Sequence, residues 1–340
     1  MAESTARRRS RKKTWSALGD VTGKPSDYEI VTHGLNHMTG ETPLEMGPDV
    51  HGNVWLKKYR DDIAIKVASW EGFRDPDRVT YHSYVKMQDV QEAYIDTLLT
   101  SYTAQDTSDG RLSNECLQLL LTAMTPCRYL GHVQQMLSAY IQQIAASSYV
   151  ANCASFQVAD QLRRVQRIAY RTRQLGTEHP SHGFGSSERA AWQDAPAWQP
   201  VREAMEKLLV VYEWDEALVG FNLVVRPVCD SLFVNQLSRA ARQAGDELDA
   251  LLLENLYQDC ERHDRWTAAA VKFIIAEDEA NRNVLRDFAA KWNGHAEAII
   301  ASGSEMIAAH VDGLSAQGIA DDVLARWAEL KWQAGLSGDA

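Results

Sequence analysis

Residues 127–137, CRYLGHVQQML, and 256–266, LYQDCERHDRW, each carry a histidine on a helical run at the spacing where a di-iron protein uses Glu-x-x-His. In both the glutamate is missing: the pairs are Tyr129-x-x-His132 and Cys260-x-x-His263. Ferritin-like bundles hold two irons with one glutamate from each of two helices and a Glu-x-x-His from each of the other two, because anionic oxygens must neutralise the buried iron charge. No Glu-x-x-His occurs anywhere in the chain. The pattern points to a bundle without its metal; if the fold is of that kind, the chemistry sits in another subunit and this chain builds or holds the complex.

Working outward, the second stretch lies on a helix predicted over 246–276, with the inward stripe Leu248, Leu252, Leu256, Asp259, His263, Trp266, Ala270 and Phe273. Asp259 and His263 fall one turn apart, so a hydrogen-bonded or ionic pair satisfies both without a metal. The first stretch opens a helix over 127–147 that is apolar nearly all round, and His132 inside it reads as a satisfied core group. The helix predicted over 151–175 places Val158, Leu162, Val165 and Ala169 on one stripe, with Arg163, Arg164, Arg167, Arg171 and Arg173 around it. Those arginines read as solvated or interhelical ion pairs, or more sharply as a docking surface for an acidic partner.

Upstream, Asp75-Pro76-Asp77 reads as a helix start, followed by the stripe Tyr81, Tyr84, Gln88, Gln91, Ile95, Leu98, Tyr102. Its middle is polar. Gln88, Gln91 and Glu92 lie on or beside the inward face, where a metal-bearing helix presents its carboxylate. A buried hydrogen-bond network or a subunit contact explains them without further ligands. Shorter helices are expected over 112–124, 187–193 and 201–212, and amphipathic ones over 281–311 and 320–332. A long apolar helix over 215–242 is interrupted by Pro227, which predicts a kink or a wide turn. His179 and His182 are loop histidines in a breaker-rich connector. Residues 1–72 read as an extended N-terminal arm, basic and disordered over 1–13, anchored by Trp15, Tyr28, Leu35, Trp55 and Tyr59 on a partner or on its own bundle. Residues 73–340 form the ferritin-like helical domain.

A chain of 340 residues with 45% hydrophobic residues, ten Trp and twelve Tyr can fill a large core. Five widely spaced cysteines without a C-x-x-C argue against a disulfide framework or a zinc site and for the reducing cytoplasm. No apolar leader opens the chain, and no apolar run approaches the roughly 20 residues that span a bilayer, so a soluble protein is expected. Six basic residues in the arm (Arg7, Arg8, Arg9, Arg11, Lys12, Lys13) make the rest of the chain more acidic than its net charge of −11. An acidic body is a poor nucleic-acid binder. P-loop, G-x-G-x-x-G, G-x-S-x-G and H-E-x-x-H motifs are all missing from the sequence, which removes the common nucleotide, hydrolase and zinc-protease readings.

Six blocks carry a resemblance: KTWSALGDVTGKPSDYEIVT (13–32), DPDRVTYHSYVKMQDVQEAYIDTLL (75–99), PCRYLGHVQQMLSAYIQQIA (126–145), QVADQLRRVQRIAYRTRQL (157–175), WQPVREAMEKLLVVYEWDEALVGFNLVVRPV (198–228) and LLLENLYQDCERHDRWTAAAVKF (251–273). Together and in this order they resemble the β (smaller hydroxylase) subunit of bacterial multicomponent di-iron monooxygenases, in the toluene, alkene and isoprene branch. The resemblance implies an all-α, ferritin-like (ribonucleotide-reductase-like) helical bundle, a non-catalytic subunit related to the iron-bearing α subunit but lacking iron itself and assembled with α and γ subunits as α2β2γ2. It further implies an NADH-dependent monooxygenase complex that uses O2 for alkene or isoprene epoxidation or aromatic hydroxylation. A Rieske ferredoxin and reductase deliver the electrons, and a small effector protein gates the site. No catalytic, cofactor-binding or metal-ligating residue carries over to this chain, and the di-iron centre is expected in the α subunit. The rival reading is an independent metal-binding oxidoreductase with a non-standard site built from Glu92, His132, Asp259 and His263.

Overall fold

The computed structural model describes residue 18, residues 24–35, residue 47, and residues 49–104 and 109–336. The basic stretch 1–13 and Trp15 lie outside the described residues. Among those described, the elements are all helical, in the order α1 (Asp27–Thr32), α2 (His51–Leu56), α3 (Tyr81–Ala104), α4 (Asn114–Leu119), α5 (Cys127–Ile144), α6 (Ser148–Glu178), α7 (Glu188–Asp194), α8 (Gln199–Leu208), α9 (Trp214–Leu218), α10 (Arg226–Asp230), α11 (Leu237–Gln243), α12 (Glu247–Glu277), α13 (Asn281–Ala308) and α14 (Ala316–Gln333).

Side-chain caps open several of the helices, α1, α4, α6, α12 and α14 among them. Ser147 accepts a hydrogen bond from the Val150 amide to open α6, and Asp246 accepts one from Asp249 to open α12. Gly245, at φ +90°, ends α11 in the left-handed region that favours glycine. Asp75-Pro76-Asp77 is not the start of α3. The Asp75 carboxylate instead accepts the amides of Asp77 and Val79 in a turn, and α3 opens later, where the Thr80 and Ser83 hydroxyls exchange bonds with each other's amides.

α9, α10 and α11 form one rod, Trp214–Gln243, joined by wide turns at Val219–Val225 and Ser231–Gln236. The first wide turn ends just before Arg226-Pro227, so the missing amide of Pro227 falls at a junction that already departs from α geometry. By length and composition this rod could cross a membrane, which corrects the expectation that no apolar run is long enough. Its most apolar window is wholly buried in the bundle.

α5 and α6 form a tight hairpin, in which a Cβ on Gly131 would come within 3.0 Å of Val165. With the rod and α12 they make the four-helix core, with α13 and α14 packed on the rod and α3 on α12. Residues 60–66 are pinned to the bundle: Asp215 accepts the amides of Ala64 and Ile65, Asn281 brackets the backbone of Lys66, and the Trp214 indole donates to the Arg60 carbonyl. Further upstream, Arg74 pairs with Glu29, and the Gly34 amide donates to Ser148.

On α6 the arginines form interhelical ion pairs, one of the readings the sequence offered. Arg163, Arg164 and Arg171 are buried, whereas Leu162 is 43% exposed and Val158, Val165 and Ala169 are only partly covered. A buried guanidinium is stable only where other helices bring carboxylates to it, and α12, the rod and the loop before α4 do so. Leu162 of the apolar stripe therefore faces outward, while Val165 packs toward Gly131 of α5. His132 is likewise on the surface and not in the core, and Tyr129 lies half-buried against Trp192.

Candidate functional site

The centre of the four-helix core is polar. Arg164 of α6 donates to Asp230 Oδ1 (2.8 Å), Gln134 Oε1 (3.1 Å) and Cys260 Sγ (2.7 Å), so atoms from α10, α5 and α12 converge on one cation. Arg226 of α10 donates to Asp230 Oδ2 (2.8 Å), Asp264 Oδ1 (2.6 Å) and Asn222 Oδ1 (3.2 Å). Asp230 thus gives one oxygen to each guanidinium. Burial alone would raise its pKa, but Arg164 and Arg226 outweigh burial and hold the carboxyl below its usual range.

One layer out, Asp160 of α6 accepts from the Tyr84 hydroxyl (2.8 Å), Gln88 (3.0 Å), Arg262 (2.6 Å) and His263 Nε2 (2.7 Å). Asp259 accepts from Gln88 (3.0 Å), Arg163 (2.8 Å) and Arg262 (3.0 Å). Asp259 and His263 therefore do not pair with each other as the sequence suggested; each bonds to side chains of other helices instead. Burial first, then the positive charges of Arg226 and Arg262, push His263 well below the usual imidazole range, which leaves it neutral. Its Nδ1 is buried and has no hydrogen-bond partner. Burial likewise raises the Cys260 thiol well above its usual range, although Arg164 opposes the shift.

Of the residues singled out from the sequence, Cys260, His263, Gln88 and Asp259 meet in or beside this centre. Glu92 is drawn outward by Arg163 and Arg167. His132 is exposed, so the four residues of the rival metal site do not converge. The α5 residue that reaches the centre is Gln134, two positions beyond His132. Sequence reasoning read Arg164 as an ion-pair candidate without placing it at the centre, and missed Gln134, Arg226 and Asp230. The available signal was Arg226-x-x-x-Asp230, an i,i+4 ion pair inside the most apolar helix of the chain.

A di-iron pair does not fit these residues. Two guanidiniums stand among the inward positions, and three of the four helices offer an amide, an arginine or a thiol where the iron site needs glutamate. Among the described residues no group of three or more His, Cys, Asp or Glu is placed to hold a metal ion.

Comparison with known proteins fixes the family. The family model for methane/phenol/alkene hydroxylase matches residues 54–278. The chain is 38% identical over 282 residues to the toluene-4-monooxygenase hydroxylase component subunit beta of Ectopseudomonas mendocina, covering 82% of this chain and 86% of that one. Two oxygenase components of the phenol 2-monooxygenase of Pseudomonas sp. (strain CF600) also match. DmpL is 25% identical with 70% of its length covered, and DmpN 26% identical with 43% covered. A solved structure of toluene 4-monooxygenase with toluene in its resting active site superposes with a TM-score of 0.82 at 36% identity, covering 90% of this chain and 99% of that one. The chain belongs to the methane/phenol/alkene hydroxylase family and is a β-type subunit of the hydroxylase component of a soluble di-iron hydrocarbon monooxygenase.

Proposed function

We propose that this chain is the non-catalytic, metal-free β subunit of a cytoplasmic hydroxylase. Its larger α partner carries the di-iron centre, and with a γ subunit the three assemble as α2β2γ2. The complex oxidises a small hydrocarbon, by alkene or isoprene epoxidation or by aromatic hydroxylation, with O2 and electrons passed from NADH through a reductase and a Rieske ferredoxin under control of an effector protein. The observation that carries the non-catalytic reading is the pair of buried arginines at the bundle centre. A guanidinium has no free lone pair for iron, and its charge repels the ion.

The α6 stripe supports the partner reading. Val158, Leu162, Val165 and Ala169 form a line of apolar side chains that the chain itself leaves partly open. Because this chain matches two different components of one oxygenase, the larger partner belongs to the same family, and related folds pair through equivalent faces. We place the contact with the α subunit on this stripe, within an interface of the several thousand Å² typical of permanent complexes.

The test is metal analysis of the full chain alone and of the complex co-expressed with its large subunit. Iron is expected only in the complex, and hydrocarbon turnover only when the large subunit is present. Two tightly held irons per isolated chain would overturn the proposal.

A further inference from the structure

We infer that the groove between α13 and α14 is a second docking site in the assembly, and that it takes a helix of a companion subunit whose contact face reads basic, apolar, basic at one-turn spacing. The inference rests on the reading of this chain as a subunit that works in a complex.

Two short ridges make the groove. On α13, Glu297, Ala301 and Glu305 recur every fourth residue and share one face; on α14, Ala316, Ala320 and Leu324 do the same. The cleft between them is open and holds about 250 Å³. That is below the roughly 300–1,000 Å³ of sites for free small ligands, and it suits one large side chain. Gly294 and Ala298, exposed on the same side of α13, keep the approach free of bulk, and a Cβ on Gly294 would meet nothing within 4 Å. A third helix can therefore lay its own row of every-fourth-residue side chains between the two ridges.

Two independent observations identify the occupant. The first is charge. Glu297 and Glu305 are exposed, stand about 12 Å apart along α13 with Ala301 midway, and have no ion-pair partner among the described residues. A helix with Lys or Arg at i and i+8 and a bulky apolar residue at i+4 meets carboxylate, alanine and carboxylate in turn. A second copy of this chain does not fit, because a two-fold contact through this face sets carboxylates of both copies against one another. The second observation is Ser304, which lines the cleft, is 1% exposed and has a hydroxyl with no hydrogen-bond partner among the described residues. Buried hydroxyls are ordinarily bonded, so this one is left for a polar group that arrives with the partner. The groove is also distinct from the α6 stripe, since α13 and α14 pack on the rod whereas α6 packs on α5 and α12.

The experiment puts the photo-crosslinking residue benzoylphenylalanine in place of Leu324, which is 41% exposed at the rim, in the full-length chain co-expressed with its companion subunits. The purified complex is irradiated and the joined peptide is identified by mass spectrometry. The expected product is a helical stretch of a companion subunit with Lys or Arg about one turn to each side of the joined residue. Adding Glu297→Lys/Glu305→Lys should lower its yield about tenfold or more, while the isolated chain keeps its melting temperature. A complex that assembles without the cross-link overturns the inference. So does a cross-link to a stretch without basic residues, to a second copy or to the chain's own basic arm, or a yield that the charge reversal leaves unchanged. Where the reversed chain does not fold, the identity of the peptide joined to the unreversed chain decides alone. A chain that recovers no companion subunit at all would instead defeat the proposed function, so the two failures are distinguishable.

Discussion

Asp230 neutralises two buried guanidiniums at once, so its loss differs from the loss of an ordinary ion pair. Asp230→Asn leaves Arg164 and Arg226 facing each other without their shared anion, and breaking a buried pair in this way costs about 3–5 kcal/mol. Urea unfolding should show at least that loss; a change below about 1 kcal/mol would mean the charges are screened by water. His263 gives a pH signature. Its folded pKa lies well below its unfolded value of 6.5, so below pH 6.5 the unfolded chain binds a proton that the folded chain does not. Its contribution to stability is therefore present above pH 6.5 and is lost as pH falls, by about 1.4 kcal/mol per unit, until the folded pKa is reached. Asp230, held below its usual range, adds to the loss only at lower pH, as the pH falls through its depressed folded value. In His263→Asn, stability measured between pH 5.5 and 6.5 should lose about one proton's worth of slope. At this scale the sequence was half legible. Cys260 and His263 stood out by their spacing, whereas Arg164 and Asp230 are 66 residues apart, and nothing local marks them as partners.

Single elements were read well in extent and less well in direction. The predicted helices over 127–147, 246–276 and 281–311 match α5, α12 and α13 to within a few residues, because periodicity and caps are local properties. On α6 the same periodicity gave the stripe but not which side of the helix turns inward. An apolar stripe and a stripe of paired arginines are both candidates for burial, and which one turns inward depends on carboxylates supplied by Asp230, Asp249 and Asp259 on later helices. The outward stripe makes a separable prediction. Leu162→Glu should leave the chain's own melting within about 0.5 kcal/mol of the unmodified protein, as substitutions at partly exposed sites do. It should nevertheless weaken co-purification with the large subunit at least tenfold. Unimpaired assembly would remove α6 from the interface.

For the whole molecule, the resemblance of six blocks anticipated the ferritin-like architecture and the missing glutamates a centre without iron ligands, but the sequence alone did not reveal what fills that centre. Arginine charges from α6, α10 and α12, paired with carboxylates from the same three helices, bind the core helices together. Because those cations are covalently part of the chain, strong chelators should leave its melting temperature unchanged, whereas a structural ion would make melting depend on free metal. A drop in melting temperature with excess EDTA would contradict this.

The rod Trp214–Gln243 has a consequence for how the chain is made. It leaves the ribosome before α12, α13 and α14 exist to cover it, and by composition it resembles a segment destined for a lipid bilayer. Arg226 and Asp230, near its middle, each oppose insertion by about 2.5–3.5 kcal/mol at a bilayer centre. Replacing both with leucine should move newly synthesised chain into the membrane fraction, and finding it still in the soluble fraction would argue against this role. The charges that join the finished core would then also keep the unfinished chain from the wrong cellular address.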